Sequence, residues 1–308
     1  MFAPGHLTLG IMSPIQNYGF DYPALQGQET MVAMAERAGF AAVWVRDVPL
    51  HDPAFGDVGQ MYDPWVYLGW LAAHTERIAL ATGSVILPLR HPIDVAKAAA
   101  SADQLSGGRL VMGIATGDRP VEFPAYGQPH HRRDTAFRDR LEFIRRLLTE
   151  RVPAIDTEIG RMHGSDLVPK PIAGRIPMLV TGHSGQTMDW IAEHGDGWLT
   201  YMRPPSQQRE IVQSWQRALA ASTDGEPPFK PFGQGLHIDL TEDPETLASP
   251  IHNGYRLGRH QLVALLDTLA AMGVNHVILV LRFGHREAAD VIAELAEHVL
   301  PLFPPIET

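Results

Sequence analysis

The sequence predicts an α/β fold, a (β/α)8 TIM barrel with loop insertions at its C-terminal face. Eight short apolar segments, beginning near residues 7, 41, 78, 109, 177, 197, 235 and 274, are each followed by a segment with helical spacing of its apolar residues. The length of 308 residues suits a single barrel domain spanning 1–308. A doubly wound sheet is the alternative, but such sheets usually have fewer strands, and no Gly-x-Gly-x-x-Gly motif follows the first segment.

The first half of the chain supplies four units of a strand and a helix. Pro14 ends the first strand, and Gly39 suits the left-handed cap of the first helix. Pro64 favours the start of the second helix, because proline is tolerated in the first helical turn. Ser106, Gly107 and Gly108 end the third helix. The predicted strands are 7–12, 41–45, 78–82 and 109–114, and the predicted helices are 22–38, 64–74, 93–105 and 134–150.

The second half supplies four more units. They follow an irregular segment at 151–175, which we interpret as an excursion from the barrel with a small hairpin. Gly195 and Gly273 end two of the helices, and an acidic loop lies at 241–250. The predicted strands are 178–181, 198–201, 235–240 and 274–281. One predicted helix passes through 190–192, and the others span 205–221, 257–272 and 287–299.

Charge and cysteine content exclude several classes of function. The formal net charge of -10 argues against nucleic acid or an anionic membrane as a partner, because both bind concentrated Lys and Arg. The chain has no cysteine, which excludes disulfides and a cysteine nucleophile. His130 and His131 are adjacent rather than four residues apart on a helix, so no metal site is predicted. Without a signal-peptide pattern or a membrane-length apolar run, we expect a cytoplasmic protein.

Small residues occupy three of the predicted strand ends. In a barrel these C-terminal ends meet at one mouth, where the functional site lies. Gly83-Ser84, Thr116-Gly117 and the turn from Gly182 to Gly185 leave room there for a flat ligand close to the backbone. The turn precedes a helix, whose free N–H groups and positive dipole end suit a phosphate. The alternatives are small side chains that only fit a tapering barrel, and ordinary turn glycines.

Four segments of the chain resemble the luciferase-like flavin monooxygenases, relatives of bacterial luciferase and of the alkanesulfonate monooxygenases. They are AERAGFAAVWV at 35–45, ATGSVILPLRHPIDVAKAAASADQLSGGRLVMGIATG at 81–117, EFPAYG at 122–127 and PMLVTGHSGQTMDWIAEHGDGW at 177–198. The most specific part is His-Pro, a helix, and then D-x-L-S-G-G-R-L-x-x-G-x-x-x-G. The resemblance runs from about residue 7 to 201 and more loosely to the end. It implies a TIM barrel that binds FMN, or in some branches coenzyme F420, at the C-terminal face.

The resemblance also implies which residues contact the cofactor. A non-proline cis peptide is expected at Gly83–Ser84, against the middle ring of the flavin, with Ala115, Thr116 and Gly117 beside the ring and the ribityl chain. Thr116 stands where luciferase offers an arginine to the phosphate, so this charge-assisted contact is lost and weaker binding is expected. The phosphate would then depend on the turn, through Gly182, His183, Ser184, Thr187 and the backbone N–H groups of Gly185 and Gln186.

The implied reaction is the oxidation of a small organic substrate by O₂ with reduced FMN. A nicotinamide or a separate flavin reductase would supply the reduced flavin. Val48 stands where luciferase has its catalytic histidine, so light-emitting aldehyde oxidation is not expected and no catalytic residue is assigned. Two alternatives stay open: an F420-dependent hydride-transfer oxidoreductase and a non-catalytic flavin-binding barrel. Family habit further implies a homodimer through the second and third helices.

Charged residues near the predicted mouth are the candidates for contact with the substrate. Asp47, Arg90 and Arg203 are the leading ones, and Arg46 and Arg282 carry further charges at strand ends. One or more of the arginines would suit an anionic substrate. Each of these residues is equally suited to a structural salt bridge.

Overall fold

Eight parallel strands form a closed barrel in the computed structural model, which describes residues 1–16, 18, 25–55, 61–223 and 225–306. The strands are β1 (Thr8–Met12), β2 (Ala42–Val45), β3 (Ala79–Ile86), β4 (Leu110–Ala115), β5 (Met178–Thr181), β6 (Gly197–Tyr201), β7 (Phe232–Leu240) and β8 (His276–Val280). Each strand pairs in parallel with the next one, and β8 pairs with β1. The predicted TIM barrel is confirmed.

A major helix follows each strand. These helices are α1 (Gln28–Ala38), α2 (Pro64–His74), α3 (Pro92–Leu105), α4 (Arg133–Thr149), α5 (Met188–His194), α6 (Pro205–Ala221), α7 (Arg259–Met272) and α8 (Ala288–His298). The bounds of α2 and α6 match their predictions, and Asp63 fixes the start of α2 by accepting the N–H groups of Trp65 at 3.0 Å and Val66 at 3.2 Å. In the part of the chain described above, no helix is both long and apolar enough to cross a membrane.

The first helix begins later than its sequence pattern suggested. Residues 22–24 of that prediction lie outside the described residues, and α1 begins only at Gln28. Gly27, directly before it, has a φ of 76°, a left-handed conformation that does not continue a helix. The prediction of a helix over 25–27 is therefore wrong.

The barrel interior is filled by an apolar layer, which we call the inner core. It consists of the buried residues Ala42, Trp44, Ala81, Val111, Leu179, Leu199 and Ile278. His276 is fully buried beside it, with Nδ1 2.8 Å from the Thr8 hydroxyl and Nε2 accepting the Trp44 indole N–H at 2.9 Å. Burial lowers the pKa of His276 to about 3, so the ring is neutral. A Cβ at Gly10 would lie 2.5 Å from this ring, so only glycine fits there.

Two hairpins are inserted into the barrel. One pairs Ile155–Asp156 with Arg161–Met162, which confirms the small hairpin predicted within 151–175. The other, which we call the β7 hairpin, pairs Ser249–Ile251 with Gly254–Leu257 and was not predicted. The strand β7 extends beyond the residues that pair with β8. Its last four residues, from His237 to Leu240, pair with Gly254–Leu257.

The β7 hairpin also corrects the sequence prediction of the following helix. Leu257 belongs to a strand, and α7 begins at Arg259. The strand β3 differs too, since it continues to Ile86 rather than ending at Thr82. Its register with β4 shifts between Thr82 and Val85, at the small residues Gly83 and Ser84.

Candidate active site

At the C-terminal end of the barrel, each strand provides one accessible residue, which lies within the strand or, for β2, directly after it. Side chains alternate along a strand, so a residue two positions beyond an inward-facing residue also faces the barrel axis. Eight accessible residues meet this condition, and we call them the mouth ring: Met12, Arg46, Gly83, Ala115, Thr181, Tyr201, Gly235 and Val280. The inner core is buried beneath them. The mouth ring is therefore the floor of the open end of the barrel, where TIM-barrel enzymes place their active sites.

On β3, β4 and β5 the mouth ring has small side chains, at Gly83, Ala115 and Thr181, and we call this part the small side. The strands are in close contact here. The Thr82 hydroxyl donates to the Gly113 carbonyl at 2.8 Å, and a Cβ at Gly113 would lie 2.2 Å from the Thr82 carbonyl oxygen. The Ser84 and Thr181 hydroxyls are hydrogen-bonded to each other. We call the region of these partly accessible residues, Gly83, Ser84, Ala115 and Thr181, the slot.

The Gly83–Ser84 peptide, which joins two residues of this slot, is cis. The family resemblance implied this bond, and the structure confirms it. Both residues are partly accessible.

The end of β4 borders the same slot. Gly117 has a φ of 84°, and a Cβ there would lie 2.7 Å from the Ile86 side chain, so the position requires glycine. Thr116 is buried, and its backbone N–H donates to the Ser184 hydroxyl at 3.3 Å. This bond attaches the end of β4 to the glycine-rich turn after β5.

The turn after β5 uses most of the hydrogen-bonding groups that were predicted to hold a phosphate. The Ser184 hydroxyl donates to the Thr181 carbonyl at 2.9 Å, in addition to accepting the bond from Thr116. The Thr187 hydroxyl caps α5 by accepting the Trp190 N–H at 3.2 Å. The Gln186 N–H donates to the His183 carbonyl at 2.8 Å. The Ser184 O–H and the Gln186 N–H are therefore already engaged within the protein, whereas the Thr187 hydroxyl accepts a bond and can still donate its own proton.

The exposed face of the turn carries Gly182, His183 and Gly185. Both glycines have positive φ, 58° at Gly182 and 67° at Gly185, and His183 lies against Trp198 with ring centroids 5.5 Å apart. A Cβ at Gly185 would lie 2.2 Å from the Asp134 carboxylate, at the start of α4. An acidic group next to this backbone opposes the binding of an anion.

Two of the predicted substrate contacts, Asp47 and Arg90, bind each other. Arg90 Nε donates to Asp47 Oδ2 at 3.0 Å and its terminal nitrogen to Oδ1 at 2.6 Å, and the Ile86 N–H donates to Oδ2 at 3.1 Å. The Asp47 side chain is 1% exposed, so the pair is a buried clamp between the ends of β2 and β3. Arg203, the third candidate, is exposed after β6 and donates to the Met202 carbonyl at 3.1 Å.

Another part of the mouth, on β7, β8 and β2, carries rings and positive charge, and we call it the charged side. His237 contacts Phe283 and His252, with ring centroids 5.1 Å and 5.9 Å away. The Arg282 guanidinium lies 5.0 Å from the Phe283 centroid. Burial chiefly, with the charges of His252, Arg282 and Arg46, lowers the pKa of His237 to about 4. The ring is therefore neutral at physiological pH.

Sequence reasoning noted Arg46 and Arg282 but missed His237. The available signal was the alternation in β7, where Leu236 and Ile238 face outward into the helical layer and His237 must face the opposite way. The β7 hairpin supplies His252, and that contact had no local signal.

A buried carboxyl group lies under the loop after β4. Glu122 begins a short helix, Glu122–Ala125, within the family motif at 122–127, and it is fully buried. Burial raises the pKa of Glu122 to about 7, although Arg119, 3.9 Å away, acts in the opposite direction. The Arg119 guanidinium also lies 4.7 Å from the Phe55 ring centroid, in the loop after β2. These contacts connect two loops that border the mouth.

Comparison with known proteins agrees with this architecture. The family described as luciferase-like monooxygenase matches residues 1–272. An uncharacterized protein of Mycobacterium tuberculosis (strain H37Rv) is 34% identical over 232 residues, which is 70% of this chain and 79% of that protein.

Two solved structures share the fold. A monooxygenase from Streptomyces bottropensis superposes with a TM-score of 0.78 at 19% identity, covering 96% of this chain and 99% of that one. An F420-dependent secondary alcohol dehydrogenase, in complex with an F420-acetone adduct, has the same TM-score of 0.78 at 16% identity, covering 96% and 98%. The fold is therefore common to a monooxygenase and an F420-dependent dehydrogenase. With the match over residues 1–272, the chain belongs to the luciferase-like monooxygenase family.

Proposed function

We propose that this protein is a flavin-dependent oxidoreductase, a monooxygenase that uses reduced FMN and O₂ to oxidise a small organic substrate. The small side of the mouth carries this proposal. Its partly accessible backbone at Gly83 and Ser84, with the small side chain of Ala115 on the neighbouring strand, suits a flat ring. Reduced FMN, when bound, would supply the electrons for the activation of O₂.

The residues around the slot suit the ring better than they suit its phosphate. Gly83, Ser84, Ala115, Thr116 and Gly117 would contact the ring and the ribityl chain. The turn residues Gly182, His183, Ser184, Gly185 and Thr187 would lie at the phosphate. Ser184 would act through the shape it gives the turn, because its O–H donates to the Thr181 carbonyl, whereas the Thr187 O–H could donate to the phosphate. The Asp134 carboxylate beside Gly185 would weaken the binding of the phosphate.

The remaining residues of the mouth would exclude water and keep the site rigid. The inner core seals the barrel beneath the mouth ring. The clamp of Asp47 and Arg90 holds the ends of β2 and β3 together. Arg119 and Glu122 bring the loops after β2 and β4 together, which suits a cover over the reacting groups.

A cleft along α4 favours coenzyme F420 as a second candidate cofactor. The cleft has a volume of about 520 Å³ and is lined partly by Arg132, Arg133, Arg140 and Arg146. Asp134, the residue after Arg133, lies against Gly185 of the turn. F420 carries an anionic glutamate tail beyond its phosphate, and arginines suit such a tail. Three acidic residues, Asp139, Glu142 and Glu158, line the same cleft and reduce its positive charge.

Binding titrations test both candidates. We would titrate the full chain with oxidised FMN, reduced FMN and F420, and follow absorbance and fluorescence. The monooxygenase proposal expects reduced FMN to bind most tightly. Tighter binding of F420, weakened in an Arg132→Glu/Arg133→Glu variant but not in the exposed control Arg37→Glu, would favour F420. Binding of none of the three would exclude the proposed function. Binding of reduced FMN without any NAD(P)H or O₂ consumption would indicate a non-catalytic flavin-binding barrel.

We also propose a homodimer through α2 and α3. The outer surface of α2 exposes 73% of Val66 and 38% of Trp70, and α3 exposes 68% of Leu105. Apolar side chains that are exposed together often mark an interface. Light scattering of the wild-type chain and of a Val66→Arg variant tests this: the proposal expects a dimer that the substitution dissociates. A monomeric wild type would exclude it.

A further inference from the structure

Gly235, within β7, is a glycine that neither the backbone nor the packing requires. Its φ lies outside the left-handed region, and its pairing with β6 and β8 continues without a register shift. A Cβ there would lie more than 4 Å from every atom of the described residues other than its own chain neighbours. Glycine weakens the interior of a strand, so its presence there often marks a place where a ligand approaches the backbone closely.

The space over Gly235 begins above the inner core and opens to the outside. A Cβ at Gly233, which faces the same way, would lie 2.7 Å from Leu199 of the inner core, whereas Gly235 is partly accessible. The neighbours of Gly235 in the register are Tyr201 on β6 and Ile278 on β8, and neither comes within 4 Å of its Cβ position. The neighbouring strands therefore leave room for part of a ligand.

Three rings in mutual contact stand beside this space, and we call them the ring wall. His237 faces the barrel axis two positions beyond Gly235, and its ring centroid lies 5.1 Å from that of Phe283 and 5.9 Å from that of His252. The centroids of His252 and Phe283 are also 5.9 Å apart. Flat rings attract another flat ring through offset or edge-to-face contacts, which a puckered, saturated ring makes less well.

The charged side chains around the ring wall already have partners. Asp239 accepts from Arg256 at 3.2 Å and from His285 at 2.7 Å, and Arg46 and Arg282 also interact with other groups of the protein. The ring of His237 is itself neutral at physiological pH, because burial lowers its pKa to about 4. Shape rather than charge would therefore select what binds over Gly235.

We infer that the substrate contains a neutral aromatic ring, which lies over Gly235 against the ring wall. The inference rests on the proposed function only for the role of this molecule as a substrate. It makes Gly235 a specificity-determining residue, because a larger side chain there would occupy the place of the ring. His237 is a second one, because it is the member of the ring wall that follows Gly235 on the same face of β7.

Three fluorinated probes test the inference by fluorine NMR titration of the full chain. 4-Fluorobenzyl alcohol and trans-4-fluorocyclohexylmethanol carry the same groups on a flat and on a puckered ring, and 4-fluorobenzoate adds a negative charge to the flat ring. We expect the aromatic alcohol to bind about fivefold more tightly than the saturated one. A merely apolar surface would prefer the saturated probe, which is the more hydrophobic of the two. 4-Fluorobenzoate should bind no more tightly than the aromatic alcohol.

Two variants and one control assign the binding to this space. Gly235→Leu should weaken the aromatic alcohol about tenfold, because its side chain fills the space. The control Gly225→Leu, at a glycine in a surface loop with similar space among the described residues, should bind like the wild type. His237→Leu removes one flat ring and should bring the affinities of the two alcohols within about twofold of each other. Both alcohols are measured on the same protein, so incomplete folding cancels in their ratio.

Every other outcome contradicts the inference. Equal or tighter binding of the saturated alcohol to the wild type, or binding of neither alcohol, would exclude an aromatic ring. Tighter binding of 4-fluorobenzoate would show that charge selects the ligand. Unchanged binding in Gly235→Leu would place the ring elsewhere, and an unchanged ratio in His237→Leu would exclude the ring wall.

FMN titration of the same proteins separates this result from the proposed function. A wild type that binds no FMN, but whose probe binding depends on Gly235, would contradict the proposed function alone. A wild type that binds reduced FMN, but whose probe binding does not depend on Gly235, would contradict the inference alone.

Discussion

The small side and the charged side of the mouth are built in different ways. On the small side, glycines and short side chains bring backbones together, as between Thr82 and Gly113. On the charged side, large side chains from distant segments meet, such as His237 with His252 and Phe283. The first arrangement leaves backbone accessible to a flat group, and the second presents rings and charge. The two sides therefore suit the two partners of one reaction, a cofactor and a substrate.

The clamp of Asp47 and Arg90 joins the two sides. Asp47 directly follows Arg46 of the charged side, and it binds Arg90 and the Ile86 N–H beyond the small side. The sequence left two roles open for both residues, contact with substrate and a structural salt bridge, and the fold shows the salt bridge. The salt bridge ties the loop after β2 to the segment after β3.

Loss of this clamp should have the largest effect on stability. An Asp47→Ala variant leaves Arg90 with its side chain only 19% exposed and without its buried partner. Breaking a buried pair in this way costs about 3 kcal/mol of unfolding free energy, which urea denaturation would measure. An Asp47→Leu/Arg90→Met double variant removes both charges and should recover most of the loss. A single variant as stable as the wild type would show that the clamp does not hold the two sides together.

A methyl group at Gly113, on the small side, should lower the free energy of unfolding more than a methyl group at Gly235, on the charged side. A Cβ at Gly113 would lie 2.2 Å from the Thr82 carbonyl oxygen, a backbone atom that cannot move alone. Overpacking of this kind costs about 2 kcal/mol, so Gly113→Ala should lower the free energy of unfolding by that amount. The matched variant Gly235→Ala has open space and should stay within about 0.5 kcal/mol of the wild type. Equal effects of the two changes would remove the structural distinction between the sides.

The sequence predicted the small side better than the charged side, for a physical reason. The turn from Gly182 to Gly185 and the pair Gly83-Ser84 are local signals, because short residues at strand ends indicate close backbone approach. The barrel was predictable for the same reason, since each strand and helix has its own periodicity. By contrast, the contact of His237 with His252 depends on the β7 hairpin, whose pairing with β7 has no local pattern.

The same reasoning explains why the sequence left two roles open for Asp47 and Arg90, contact with substrate and a structural salt bridge. The two residues are far apart in the sequence, and the pairing of β2 with β3 brings them together. The hydroxyl groups of Ser184 and Thr187 are a similar case. Sequence could place them at the turn, but only the folded turn shows that Ser184 donates to the Thr181 carbonyl and that Thr187 accepts the Trp190 N–H.

The charged side should weaken the protein in acid. The pKa of His237 is lowered from 6.5 to about 4 in the fold, so the unfolded chain takes up the proton more readily. The stability that a neutral His237 contributes to the fold is therefore fully present above pH 6.5, and it decreases as the pH falls towards 4. Since the ring is partly exposed, we expect it to account for about 1.5 kcal/mol of the stability lost between pH 7 and pH 5.

A His237→Gln variant isolates this effect, because glutamine does not titrate. Urea denaturation at pH 7 and pH 5 should show a smaller loss of stability in the variant than in the wild type. His276, whose pKa is lowered to about 3 by burial, adds a similar loss in both proteins and cancels in the comparison. Identical losses in the variant and the wild type would mean that His237 is not held neutral by the charged side.

The smallest predicted effect concerns the cofactor phosphate at the edge of the small side. The Asp134 carboxylate lies against the backbone of Gly185, where a phosphate would approach. Its side chain is 43% exposed, so water and salt screen its repulsion. An Asp134→Asn variant should therefore bind FMN only about threefold more tightly, or about 0.7 kcal/mol. Riboflavin lacks the phosphate and should bind both proteins equally, so a matched titration separates a phosphate effect from a change in the slot. Equal FMN affinity of the variant and the wild type would place the phosphate away from the turn, and the small side would then hold the ring alone.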